Sequence, residues 1–233
     1  MKNFIFALFR PVKTFSEVKV TGKFSVMSLI IILFLMLINL ILLSPITEKV
    51  VYMTYLSMSI PESQLDTMVQ IAHKMRYLQI AGAIIQYVFM FFLYSFILYI
   101  TVRIAKNRIG YKSALQLIVY SYFIVAIGDL TNTILLYARG LDAIANIYEN
   151  SLIGLNLLTS VEQVGVTLYT FLCYFTPFQL IFVILLSIGL REFLEVKYIK
   201  TLTISVLFWL ITISIPTLSI YFSNLAIEKY ELI

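Results

Sequence analysis

The chain has 233 residues, of which 61% are hydrophobic and 12% charged, with a formal net charge of +5. A soluble domain is usually about 45–50% apolar and about 25% charged, so too little charge is present to coat a water-facing surface. That excludes a soluble enzyme, and the high apolar content excludes an intrinsically disordered chain. What remains is an all-α polytopic membrane protein, with one cysteine, Cys173, and so no internal disulfide.

A bilayer core of about 30 Å needs roughly 20 apolar helical residues, and five stretches qualify: 24–43, 78–102, 113–137, 168–190 and 200–222. Ahead of them, segment 1–23 mixes Phe4, Ile5, Leu8 and Phe9 with Arg10, Lys13, Lys19 and Lys23, the pattern of a basic segment lying at the membrane interface. It carries no small-residue cleavage site before the first span and is expected to be retained. The first span is expected to end at Ser44-Pro45. Beyond it, Ser59-Ile60-Pro61-Glu62 has the spacing of a capping box with proline near the helix start. Leu65, Met68, Val69, Ala72 and Met75 then recur at three and four residues. This predicts an outer amphipathic helix over 61–77 that continues unbroken into the second span. Aromatic residues are spread all round that span, as suits lipid and helix contact.

Arg103, Lys106, Arg108 and Lys112 follow, a short basic cluster with no acid among them. The third span contains Asp129, the one acid within a predicted span, followed by Thr131, Asn132 and Thr133. The fourth carries Thr176-Pro177. A helix beginning at Pro177 leaves 14 residues to Leu190, or about 21 Å, so a longer, kinked helix over 168–190 is expected. Pro216 is expected to bend the fifth span, with Thr212 and Ser214 satisfying the backbone groups it frees. Segment 223–233 reads as a terminal tail.

Placement of charge gives an orientation. The N-terminal segment, the second-to-third loop and the fourth-to-fifth loop together carry twelve Lys and Arg, against five on the opposite side. Positive residues stay cytoplasmic during insertion, so the N-terminus is expected inside, the C-terminus outside, and the chain in the cell (plasma or inner) membrane.

Enzyme constellations are missing from the sequence. His73 is the one histidine and has no partner at ligand spacing, no glycine-rich phosphate loop occurs among 8 glycines, and GxSxG is absent. The expectation is therefore no enzymatic activity, no cofactor, no metal and no nucleic-acid partner. An ionisable group at membrane depth is a functional candidate by default, which singles out Asp129. It lies some five residues, about 7 Å, from the span midpoint. A wet vestibule or an interhelical bond is the plain reading there, with an ion path or a partner contact as alternatives. Asn132, Gln86 and Gln179 join it as candidate polar groups within the membrane, amides of a kind that commonly bridge helices. The cluster Arg103, Lys106, Arg108 and Lys112 reads as a topogenic, headgroup-facing patch, with docking of an acidic protein as the rival.

Three stretches resemble the Yip1-domain family: FRPVKTFSEV (residues 9–18), GYKSALQLIVYSY (residues 110–122) and PFQLIFVILLSIGLREFLEVKYIKTL (residues 177–202). The positions that carry the resemblance are Pro11, Thr14, Phe15, Gly110, Tyr120, Gly189 and Lys200. Two features depart from the family's pattern: Phe182 stands near where a fourth-span tryptophan is often found, and Gly128-Asp129 occupies the place of a third-span proline. The resemblance implies a five-span, non-enzymatic scaffold or accessory protein that binds another membrane protein, such as an export system, or organises the membrane. The short N-terminal segment looks like the prokaryotic branch, so the small-GTPase partnership of eukaryotic relatives is not carried over. The alternative is a small transporter or channel subunit using Asp129 and the interior amides. Lipid, an integral membrane protein and a second copy of the chain are the expected partners.

Overall fold

The computed structural model describes residues 8–21, 26–57, 62–140 and 151–231; within these, the side chains of 47–48, 50–57, 62–79 and 223–231 are outside the description. Among the described residues there are seven α-helices and no strand. They are α1 (Pro11–Thr21), α2 (Val26–Ser57), α3 (Glu62–Ile104), α4 (Tyr111–Arg139), α5 (Val161–Cys173), α6 (Pro177–Leu194) and α7 (Tyr198–Glu231), with a 3-10 turn at Leu155–Leu158. Five are long and apolar enough to cross a membrane: α2, α3, α4, α6 and α7.

Hydropathy decides their places. A helix facing lipid must be the most apolar, whereas one inside the bundle can carry small and polar groups that let helices approach. The span of α2 has a mean hydropathy of 3.1 and is 17% buried, whereas α4 has 1.6 and is 67% buried. α4 accordingly stands at the centre, in contact with α2, α3 and α6, while α7 packs against α6 and α3. Its buried surface runs all round the helix and includes Ala114, Gln116, Ser121, Ala126, Gly128 and Thr133. A hydrogen bond of 2.6 Å from Thr133 Oγ1 to Asn39 Oδ1 ties α4 to α2.

Several sequence expectations need correction. The helix of the first span, α2, does not stop at Ser44-Pro45 but runs through Pro45 to Ser57. Ile46, one residue beyond the proline, is buried against Leu136 with Leu43 beside it, and this contact holds the turn in place. The fourth span is not a kinked helix over 168–190. α5 ends at Cys173, and α6 starts afresh at Pro177, where Thr176 Oγ1 accepts from the Gln179 amide at 3.1 Å. Proline at the first helical position with a threonine cap is a strong start signal. The expected length failed because α6 continues past Leu190 to Leu194, giving 18 residues and about 27 Å, enough to cross. α7 is continuous through Pro216 and on to Glu231, so no separate tail begins at 223. The hydroxyls of Thr212 and Ser214 bond to the carbonyls of Trp209 and Leu210 at 2.8 and 2.7 Å, not to the Thr212 carbonyl that Pro216 frees. The outer helix and second span do form one helix, Glu62–Ile104, although the face presented by 62–77 lies outside the described side chains.

Candidate functional site

One end of the bundle is closed by α1. Pro11 opens this helix, and Thr14, Phe15 and Val18 bury one side of it against α6. Phe15 meets Tyr120 of α4 edge-on at 6.4 Å. Phe15 also lies over Gly189, where a β-carbon would come within 2.5 Å of Leu117 and 3.0 Å of Phe15. Lys19 pairs with Glu195 and also donates to the Glu192 carbonyl at 2.8 Å. On the same end, Gly110 precedes α4 in an extended conformation, and Lys200 donates to Asn107 at 3.2 Å. The structure thus brings Thr14, Phe15, Tyr120 and Gly189 into one packed junction, with Lys200 latching the neighbouring turn. The basic cluster sits on that turn: Arg103, Lys106, Arg108 and Lys112 are all exposed, and the Arg103 guanidinium lies 5.1 Å from the Tyr99 ring.

The other end holds a pocket of about 240 Å³. Its first wall is a stripe on α4, Tyr122, Val125, Asp129 and Asn132, spaced at three and four residues so that all share one helix face. Its second wall is the break between α5 and α6, from Cys173 and Tyr174 to Thr176, Phe178 and Gln179. Ser151 and Ile153 close it from above. α4 and α6 meet here because Gly128 has no side chain; a β-carbon would lie 2.6 Å from Phe178 Cγ.

Hydrogen bonds fix the roof. Asn132 Oδ1 accepts from the Leu152 amide at 2.7 Å, and the Leu155 amide donates to the Phe175 carbonyl at 3.2 Å. The fully buried Asn156 donates to the Ser151 carbonyl at 2.9 Å and to the Tyr169 hydroxyl at 3.1 Å. Beneath the pocket, Tyr122 packs edge-on against Phe91 at 5.3 Å and Phe182 at 6.0 Å.

Asp129, Asn132 and Gln179 therefore share one site although Asp129 and Gln179 are fifty residues apart in sequence. Gln86 does not join them; it is exposed on α3. Sequence reasoning missed Tyr122, Ser151, Cys173, Tyr174 and Asn156. The signal available was the pair Thr176-Pro177, which marks a helix start and hence an irregular segment just before it. Among the described residues, no group of three His, Cys, Asp or Glu could hold a metal ion.

The model of the Yip1 domain matches residues 5–219. No curated protein and no solved structure matches the chain.

Proposed function

The chain belongs to the Yip1-domain family, and on that premise we propose that it is a non-enzymatic accessory protein that binds another integral membrane protein. The observation that supports this reading is a ridge on α3. Ile85, Phe89, Phe92, Phe96 and Ile100 recur at three and four residues and are all exposed, Ile85 by 72% and Phe89 by 63%. The inward aromatics of the same helix, Phe91 and Tyr94, pack instead into the core, so the aromatics divide by face. A straight row of rigid rings offers a partner helix a large contact area at small entropic cost. On this reading the N-terminal end, with α1 and the basic turn, is cytoplasmic, and the chain resides in the plasma or inner membrane.

Photo-crosslinking from Phe92 and Phe96 tests the proposal, with Leu180 and Leu218, exposed on α6 and α7, as reference positions. A single protein band from the α3 positions alone, lost from the Phe92 probe when Phe89 and Phe96 become alanine and from the Phe96 probe when Phe89 and Phe92 do, is the expected result. Equal lipid adducts and no protein from all four positions would refute it. The transporter reading is second, and the pocket at the α5–α6 break is the observation that favours it, since irregular backbone at membrane depth is tolerated where it lines a cavity.

A further inference from the structure

An accessory role leaves the Asp129 carboxylate unexplained. It has no hydrogen bond or ion pair among the described residues, and no lysine, arginine or histidine lines its pocket. The N-terminus of α6 opens on the same space, but it offers only about half an elementary positive charge, part of it already directed to Thr176. The pocket is therefore net negative. The Asp129 side chain is nonetheless exposed, so a cation entering the pocket can reach its carboxylate.

The lining also says what kind of cation fits. Tyr122 and Tyr174 form part of the same wall as Asp129. Two aromatic rings in one pocket with a carboxylate suit a cation carried on carbon, because ring quadrupoles attract alkylated ammonium without having to replace a tight hydration shell. A divalent metal would need several oxygen ligands, and one carboxylate does not supply them. About 240 Å³ is room for roughly eight waters at about 30 Å³ each, too large for a bare ion and enough for a small amine. We propose that the pocket binds an alkylammonium group, which pairs with Asp129 and lies against the rings of Tyr122 and Tyr174. That group belongs either to a free amine or to the amine headgroup of a phospholipid. The proposal goes beyond the accessory role and does not depend on it, since the purified chain alone suffices to test it.

The chain carries its own reporter. Trp209 is the one tryptophan, and its ring lies 4.9 Å from Phe175, the residue between Tyr174 and Thr176. The full chain in phosphatidylglycerol nanodiscs is titrated with tetramethylammonium and choline, with 3,3-dimethyl-1-butanol as the uncharged isostere of choline. Tryptophan fluorescence and isothermal calorimetry are read in parallel. Saturable binding of both cations, with the isostere at least about 10-fold weaker, is expected. Asp129→Asn should fold with unchanged yield and bind at least about 10-fold more weakly, and Tyr174→Leu about 2- to 30-fold more weakly through loss of one aromatic face. Should the asparagine variant fail to fold, the Tyr174→Leu comparison carries the test. In phosphatidylcholine nanodiscs, weakened apparent choline affinity identifies the lipid headgroup as the source, whereas unchanged affinity identifies a free amine. Equal binding of the uncharged isostere, unaltered affinity in both variants, or no saturable signal by either method would overturn the proposal.

Discussion

Replacing Gly128 by alanine tests whether the junction of α4 with α6 is as close as it stands. The added β-carbon would lie 2.6 Å from Phe178 Cγ and 2.7 Å from its Cβ. Those atoms form the root of the Phe178 side chain, so no rotation about its outer bonds relieves the contact, and the start of α6 must move away. Overpacking of this kind costs about 1–3 kcal/mol, and a clash with root atoms belongs in the upper half of that range. The gain in helix propensity from glycine to alanine returns about 1 kcal/mol. The net loss is then about 1–2 kcal/mol, or a fall of about 2–8 °C in the unfolding midpoint for a chain of this size. Gly82, in the interior of α3, has nothing within 4 Å of the position a β-carbon would take. Gly82→Ala should therefore gain up to about 1 kcal/mol from propensity alone. Thermal unfolding of both variants in one detergent, followed by size-exclusion fluorescence, compares the signs directly. A Gly128→Ala protein as stable as the parent, or a Gly82→Ala protein that loses as much, would refute the reasoning.

Thr133→Val removes the hydroxyl that donates to Asn39 between α4 and α2, and should cost about 0.6–2 kcal/mol in the same melting assay, with Thr133→Ser retaining most of it. At the α1 end, the hydrogen bond from Lys19 and then its charge hold the Glu195 carboxyl below its ordinary value. A lowered folded-state value means that the pair's contribution is complete above about pH 4.3, and is lost as the pH falls through the depressed value. Amide exchange across Pro11–Thr21, corrected for intrinsic rate, should rise in acid below that point. Glu195→Gln should show the raised exchange already at neutral pH; exchange indifferent to both changes would argue that burial of Phe15 and Val18 alone holds α1. Reporter fusions after Arg108 and Leu194 should read cytoplasmic and those after Ala145 and Glu231 external, and a cytoplasmic signal at Ala145 would break the five-span topology.

The sequence alone determined the membrane class, the helical architecture and the number of spans, because these follow from runs of apolar residues as long as a bilayer is thick. It also marked Asp129, since an acid within such a run stands out without any knowledge of its neighbours. Helix ends were less legible. Ser44-Pro45 and Thr176-Pro177 look alike in sequence, yet α2 passes through the first and α6 begins at the second. The difference lies in what surrounds each proline: Ile46 is packed on Leu136, whereas Thr176 turns its hydroxyl onto the Gln179 amide and so favours a new start. Only the tertiary structure decided which helix is central and which polar groups share a pocket. Gln86 and Gln179 are indistinguishable as amides within apolar runs. Gln179 lines the same pocket as Asp129 because Gly128 lets α6 approach α4, while Gln86 stays on the exposed side of α3. Such proximity depends on contacts between distant segments, and local periodicity records only the face a residue shares with its own helix.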